Sequence, residues 1–339
     1  MITLRQPYLL YVGDIKSPSD AKTAFGLKDW CPTAVLGEYA FGEAPLSLGL
    51  PKITPQKAAL AGVGSLIIGV APTGGQLPKH WVPDLVTALK SGVDVVSGLH
   101  SKLEDFPELY AASQQPGAGR LINVREPRAV YGCASGRKRR GRRVLTVGTD
   151  CAIGKKYTAL AIAQSLEERG LAATFRATGQ TGILISGSGI AMDAIKSDFV
   201  AGAAEVLSPD NEEHHWDVIE GQGSLYHPAY AAVTLGLLHG SQPDAIILCH
   251  DPKRTHIEDY PDYPIPDLSE AIDLYLRLGR LTNPWIRCVG LSINSQHLTT
   301  EQFEKYIHDH EKQLQIPVFD PMRSAMDSVI DVLLSAHAD

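Results

Sequence analysis

Several features that mark whole classes of protein are missing from this 339-residue chain. No apolar run reaches the ~20 residues that a membrane-crossing helix needs. The opening residues, Met1-Ile2-Thr3-Leu4-Arg5-Gln6-Pro7, are too short and polar a stretch to read as a secretory leader. Cysteine is scarce and scattered: Cys31, Cys133, Cys151, Cys249 and Cys288 are odd in number and form no C-x-x-C pair. That pattern disfavours a disulfide scaffold or a metal site and points to a reducing, cytoplasmic setting. Excess positive charge is also missing. The formal net charge of −7 argues against a general nucleic-acid binder. Neither G-x-G-x-x-G nor the nucleophile elbow G-x-S-x-G occurs.

What is present is an alternation of short apolar runs and amphipathic stretches, in a chain long enough for two domains. Tyr8–Val12, Ser65–Val70, Val93–Val96 and Leu121–Val124 read as strands, with a helix at Val82–Leu89. In the second half, strands are read at Val144–Val147, Ala172–Arg176, Trp216–Glu220, Asp244–Cys249, Ile286–Ile293 and Pro317–Phe319. Helices follow at Asp267–Arg277, Glu301–His310 and Ser324–Leu334. Continuous apolar strands separated by helices imply parallel sheets covered on both faces. The expectation is an α/β protein of two domains. A Rossmann-like parallel sheet spans residues 1–130, and a P-loop NTPase-like parallel sheet spans 144–339. Residues 131–143, with Arg137-Lys138-Arg139-Arg140-Gly141-Arg142-Arg143, read as a basic linker, either solvated or forming a basic rim beside the phosphate loop.

The most informative stretch is Gly148-Thr149-Asp150-Cys151-Ala152-Ile153-Gly154-Lys155-Lys156-Tyr157-Thr158, placed between the Val144–Val147 strand and the helical run Ala159–Ala163. Strand, glycine loop and helix N-terminus together make a nest of N–H groups for anions, and Lys155 adds a full charge. Gly148, Thr149, Asp150, Gly154, Lys155 and Lys156 are therefore read as phosphate-binding. The loop differs from G-x-x-x-x-G-K-[ST] by one extra residue, and Lys156 replaces the hydroxyl residue that ligates Mg²⁺ in NTPases. Thr158 lies two positions on, roughly 200° around the helix, and is a poor substitute. Dethiobiotin synthetase-like ATP enzymes carry a similar Gly-Thr-Asp-led loop. A phosphate cradle without ordinary NTP hydrolysis is the preferred reading; a glycine turn without ligand is the plain alternative. Cys151 stands where a helix N-terminus lowers thiol pKa values, which leaves covalent cysteine chemistry as a minor option.

Further clusters fall at strand ends, where ligands sit in parallel sheets. Val218–Pro228 ends its strand in Glu220, a candidate general base, followed by Gln222, Ser224 and the candidate acid or base His227. Arg176-Ala177-Thr178-Gly179-Gln180-Thr181-Gly182 offers Arg176, Thr178, Gln180 and Thr181 to a substrate, and its amides, or those of Gly221–Gly223, to an oxyanion. Cys249–His256 adds Arg254 as a partner for substrate carboxylates, without strong metal spacing. Ordinary turns, helix caps and hydrogen-bonded histidines are the plain alternatives for these clusters. Asp193 and Asp198 read as helix caps, and Pro72–Gly75 and Ser97–His100 as connecting loops that could face the same cleft.

Taken together, Gly148–Lys155, Ala177–Gly182 and Glu220–Pro228 resemble a bacterial and archaeal family labelled a domain of unknown function. Its members have an N-terminal Rossmann-like domain and a C-terminal P-loop domain. Tyr8–Asp14, Gly69–Gly75 and Gly92–His100 resemble its N-terminal signatures, so the likeness spans the chain. The branch most similar to it contains D-glutamate N-acetyltransferases of the DgcN type, which use acetyl-CoA and feed a partner enzyme that handles N-acetyl-D-glutamate. The resemblance implies an N-acetyltransferase with acetyl-CoA as cosubstrate, an acidic amino acid as acceptor, no resident metal, and no membrane or nucleic-acid partner. A homo-oligomer is expected for an enzyme of this size. The competing expectations are an ATP-dependent ligase or kinase, the only case that calls for Mg²⁺, and a non-catalytic nucleotide sensor. A nicotinamide oxidoreductase is weakened by the missing dinucleotide fingerprint.

Overall fold

Apolar runs closed off by glycine or charge define the strands in a computed structural model that describes residues 4–72, 75–126 and 129–335. Thr73 and Gly74 of the Pro72–Gly75 turn, and Met1–Thr3 of the opening segment, lie outside the described residues. The chain divides into two compact units, Met1–Arg128 with Gln180–Ala191, and Ala129–Gly179 with Met192–Asp339.

The first unit is built on a parallel five-stranded sheet. Its strands are β1 (Tyr8–Gly13), β2 (Val35–Ala40), β3 (Ser65–Ile68), β4 (Asp94–Ser97) and β5 (Leu121–Asn123), in the order β2-β1-β3-β4-β5. Every residue of β1, β3 and β4 is buried, as an all-parallel sheet covered on both faces requires. Helices α1 (Lys22–Trp30), α2 (Pro55–Ala58), α3 (Val82–Lys90) and α4 (Pro107–Ser113) connect them. The sequence reading missed β2. Its run contains Gly37 and Glu38, and only the fold explains the acid: Glu38 is buried and accepts hydrogen bonds from Ser47 Oγ and the Leu48 amide. Asp94, buried at the head of β4, is paired with both Arg5 and Arg120.

The second unit carries a parallel six-stranded sheet. Its strands are β6 (Arg142–Gly148), β7 (Ala173–Arg176), β8 (Trp216–Ile219), β9 (Ala245–His250), β12 (Arg287–Ile293) and β13 (Val318–Phe319), in the order β13-β12-β9-β6-β8-β7. Between β9 and β12 a small antiparallel hairpin forms from β10 (His256–Ile257) and β11 (Tyr260–Pro264). Helices α5 (Lys155–Glu168), α7 (Val200–Leu207), α8 (Ala231–Ser241), α9 (Leu268–Gly279), α10 (Thr300–Leu314) and α11 (Asp327–Ser335) complete the unit. Val144, Ile162, Leu166, Val218, Ile247, Phe319 and Ile330 belong to one buried cluster between sheet and helices. The remaining helix, α6 (Gln180–Ser186), belongs to the first unit although its position in the chain suggested the second domain. Asp193 and Asp198 lie inside the short 3₁₀ turns Met192–Ala194 and Ser197–Phe199, not at helix caps. No helix among the described residues is long and apolar enough to cross a membrane.

The basic run is neither a solvated linker throughout nor a rim beside the glycine loop. It leads into the start of β6, and the glycine loop leaves the other end of that seven-residue strand, about 20 Å away at the rise of an extended chain. Arg139 and Arg143 are buried. Arg139 donates to the carbonyls of Ser208 (2.8 Å) and Gly240 (2.7 Å), and Arg143 to those of Arg140 (2.8 Å) and Pro209 (2.9 Å). They act as cross-braces for loop carbonyls at the N-terminal edge of the sheet. Arg143→Ala strands these buried acceptors and is expected to lower stability by about 2–4 kcal/mol. Denaturant titration measures the loss, while turnover per folded molecule stays unchanged.

Candidate functional site

The loop between β6 and α5 stands at the C-terminal edge of the second sheet. Its closing residue, Gly154, has φ +107°, a left-handed conformation that suits glycine, and it caps α5 without a side-chain hydrogen bond. The first N–H groups of α5 have no acceptor within the helix and point toward the loop's concave side. Lys155 is buried, and its Nζ donates to the Asp150 carbonyl at 2.6 Å. Burial pulls its pKa down.

Asp150 is part of the loop's framework. It is fully buried; Oδ1 accepts the Cys151 amide at 2.6 Å, and Oδ2 accepts Arg254 Nη1 at 2.7 Å and the Glu258 amide at 2.8 Å. The same Arg254 nitrogen donates to the Cys151 carbonyl at 2.8 Å. Asp150 and Arg254, read as ligand contacts, thus hold each other. Thr149 bonds His250 Nδ1 at 3.0 Å, and burial pushes that imidazole down to about 4, so it is neutral at pH 7. Thr158 faces inward, with its hydroxyl 2.7 Å from Ser292 Oγ. The ammonium of Lys156 lies 5.0 Å from the ring centroid of Tyr157. No hydroxyl therefore occupies the usual Mg²⁺-ligating position beside Lys155.

Glu220 follows β8 directly and is buried, and its neighbour Gly221 lies close to the Lys155 side chain of the same loop. Its Oε2 accepts the amides of Thr178 (2.9 Å) and Gly179 (3.0 Å). Burial raises its pKa above the ordinary 4.5, against the opposing pull of the Thr178 and Gly179 amides and of Lys156. Thr178 Oγ1 donates to the Glu220 carbonyl at 2.7 Å and accepts Gln222 Nε2 at 3.0 Å, so Thr178 and Gln222 position the acid. Gly221 is required by space. A Cβ there would lie 1.8 Å from the Thr146 carbonyl oxygen. Its amide donates to Thr146 Oγ1 at 2.9 Å. The Gly179 and Gly221 amides, read as oxyanion donors, are therefore already engaged.

Tyr275 is the site residue that sequence reasoning missed. It is fully buried on α9; its hydroxyl donates to the Gly148 carbonyl at 2.8 Å and accepts the Leu225 amide at 3.1 Å. It ties the glycine loop to the Glu220–Pro228 segment, and burial pushes its pKa up to about 12. The only sequence signal was its place on the buried stripe Leu268, Ala271, Tyr275, Gly279. Ser224 is buried in that segment and accepts the Tyr226 amide at 3.2 Å.

His227 is buried, and its Nδ1 accepts the Ala229 amide at 3.1 Å. One ring nitrogen of His227, the Asp150 carboxylate and Cys151 Sγ all lie within 4.8 Å of one another. Such a trio can hold a metal in principle, but the carboxylate already carries the Arg254 guanidinium, which a cation would have to displace. Burial raises the Cys151 thiol despite the opposing pull of Lys155, contrary to the activated cysteine that the helix N-terminus suggested.

Three predicted substrate contacts have partners of their own. Arg176 forms an ion pair with the buried Asp217 at 2.7 Å on the face of the sheet. Gln180 and Thr181 belong to the first unit, where Thr181 Oγ1 lies 2.9 Å from Thr23 Oγ1 and Gln180 packs on Gly98.

Comparisons with known proteins cover nearly the whole chain. Residues 42–127 match the Rossmann-like domain DUF1611_N, and residues 132–330 the P-loop domain DUF1611_C, both described as domains of unknown function. A protein of Tritonibacter scottomollicae named D-glutamate N-acetyltransferase is 46% identical over 330 residues, 97% of this chain and 99% of its own length. One of Pseudoalteromonas sp. with the same name is 43% identical over 327 residues, 96% and 98% of the two chains. The crystal structure of a DUF1611 family protein from Anabaena variabilis ATCC 29413 is 32% identical, with a TM-score of 0.85 over 98% of this chain and 100% of that one.

Two substitutions test the framework. Tyr275→Phe leaves the Leu225 amide and the Gly148 carbonyl without their shared partner and is expected to cost about 1–3 kcal/mol in denaturant unfolding. Arg254→Ala leaves Asp150 as an uncompensated buried charge and is expected to cost about 3–5 kcal/mol by the same measurement.

Proposed function

The chain belongs to the DUF1611 family, and on that premise we propose that it transfers the acetyl group of acetyl-CoA to the amine of D-glutamate. The names of the two full-length relatives support the reaction class and the acceptor. The observation that carries the chemistry is Glu220, a buried carboxylate of raised pKa, oriented by two amides beside a helix N-terminus. Acetylating an amino acid requires its ammonium to lose a proton, and a carboxylate whose basicity is raised by burial accepts it. The missing hydroxyl beside Lys155 supports transfer without phosphoryl chemistry.

Geometry also bears on which end of the donor meets the loop. The pantetheine arm has peptide-like units and spans about 15 Å when extended. A diphosphate seated at Gly148–Lys155 would then hold the thioester far from Glu220, whose neighbour Gly221 lies close to that loop. Acid–base groups ring the loop, so we place the thioester end there instead of the phosphates first read from the sequence. Asp150 and Arg254 hold the loop, Thr178 and Gln222 hold Glu220, and Arg176 holds Asp217.

Release of free thiol from acetyl-CoA, measured without Mg²⁺ over a panel of D- and L-amino acids, is expected with D-glutamate. Release that requires ATP and Mg²⁺ would overturn the reading. Glu220→Gln is expected to lower kcat about 10²–10⁴-fold with coenzyme A binding retained. In the wild type the acid limb of kcat/KM lies above 4.5, because activity falls as pH drops through the raised pKa of Glu220. Acetyl-CoA is expected to shield Cys151 from alkylation, whereas its nucleotide fragment, 3′-phospho-ADP, does not. Shielding by that fragment would return the phosphates to the loop.

A further inference from the structure

We infer that His227 acts as a neutral hydrogen-bond donor to the thioester oxygen, and not as an acid or base. The inference rests on the transfer reading above and assigns this residue a specific role in it. A backbone N–H can only donate, so the Ala229 amide at 3.1 Å requires a lone pair on Nδ1. With Nδ1 unprotonated, the neutral ring carries its hydrogen on Nε2. The ring is enclosed, with its centroid 4.5 Å from that of Tyr230 and 5.1 Å from that of Tyr260, and only 3% of the residue is exposed.

Nε2 has no hydrogen-bond partner among the described residues, while Nδ1 is turned back into its own turn. Cys151 Sγ and the Asp150 carboxylate lie within 4.8 Å of a ring nitrogen, so the ring borders the loop. The titratable and charged groups around it are thus Asp150, Cys151, Tyr230 and Tyr260. The other backbone donors considered for an oxyanion, Gly179 and Gly221, are held by Glu220 and Thr146. The amides of Gln222 and Gly223, the first amides of α5 and the Nε2–H of His227 remain.

The step balances with these parts. The amine nitrogen of the acceptor, deprotonated by Glu220, attacks the thioester carbon. The C–N bond forms and the carbonyl π pair moves to oxygen, which accepts hydrogen bonds from Nε2–H and the α5 amides. Glu220 gives its first proton to solvent and takes the surplus proton from the nitrogen of the adduct; the pair returns, the C–S bond breaks, and coenzyme A leaves as a thiolate that takes up the proton now held by Glu220, so one proton in all is released. His227 begins and ends neutral.

Nitrogen-15 NMR of the imidazole and the kinetics of two variants test this. The neutral wild-type ring is expected to carry its hydrogen on Nε2 and not on Nδ1. His227→Ala is expected to lower kcat about 10²–10³-fold, the usual loss for one oxyanion donor, with coenzyme A binding unchanged. His227→Gln places an amide N–H near the Nε2 position and is expected to recover kcat to within about tenfold of wild type. Both variants keep the acid limb that belongs to Glu220. An Nδ1–H ring, a His227→Gln enzyme as slow as His227→Ala, or loss of a pH limb in either variant would overturn the assignment. Absence of thiol release from the wild type defeats the transfer reading itself, and the tautomer is then still decided by the NMR spectrum.

Discussion

A fully buried carboxylate at the centre of an anion-attracting loop is the constraint on which the site depends. A buried carboxylate needs partners for its oxygens, and four groups meet Asp150. The Cys151 amide, the Arg254 guanidinium and the Glu258 amide take the side chain, while Lys155 takes the main-chain carbonyl. Two come from the loop itself and two from the segment after β9, so satisfying one charge sets the curve of the loop, the fold of Lys155 into it and the position of that segment. Breaking a buried pair of this kind costs more than making it gains, because the orphaned charge remains.

The same logic separates the two acids of the site. Asp150 is matched by a full positive charge and serves structure. Glu220 is met by two amides on one oxygen and by the pull of Lys156, yet burial prevails and its proton affinity rises. Tyr275 joins the two regions without adding charge. One hydroxyl both donates and accepts, and so closes the gap between Gly148 and Leu225. A loop of tied-down peptide groups with an acid of raised proton affinity near it is an arrangement preorganised for proton transfer and oxyanion stabilisation.

How much of this could be read from the chain follows from what kind of information each element carries. Strands such as β1, β6 and β9 are continuous apolar runs ended by glycine or a polar turn, and local pattern suffices for them. β2 hides a buried glutamate whose partners come from residues 47 and 48, and β11 is a Tyr-Pro-Asp-Tyr-Pro segment that resembles a turn. Glu220 and the glycine loop were legible because strand-end position and residue type both pointed to them. The roles of Arg176 and Arg254 were not, since a cation near a strand end looks the same whether it awaits a ligand or already holds Asp217 or Asp150. Tyr275 lies 127 residues from the carbonyl that it binds; no spacing rule reaches that far. The placement of α6 in the first unit likewise has no local signature.

The charged groups enclosed by the fold, the arginines at the head of β6 among them, have an electrostatic consequence. Lysine and arginine total 31 against 38 acidic residues, and Arg139 and Arg143 bind mainly neutral carbonyls inside the fold. Among the described residues seven acids are buried against three cations, so the solvent-facing shell keeps its negative sign but carries less charge than the bare sum. A dicarboxylate diffusing toward such a shell meets repulsion before it meets any donor, and added electrolyte shortens the range of that repulsion. Capture of an acidic molecule by this protein would then quicken with ionic strength, the reverse of the behaviour of an enzyme that steers its anions with an exposed cationic funnel.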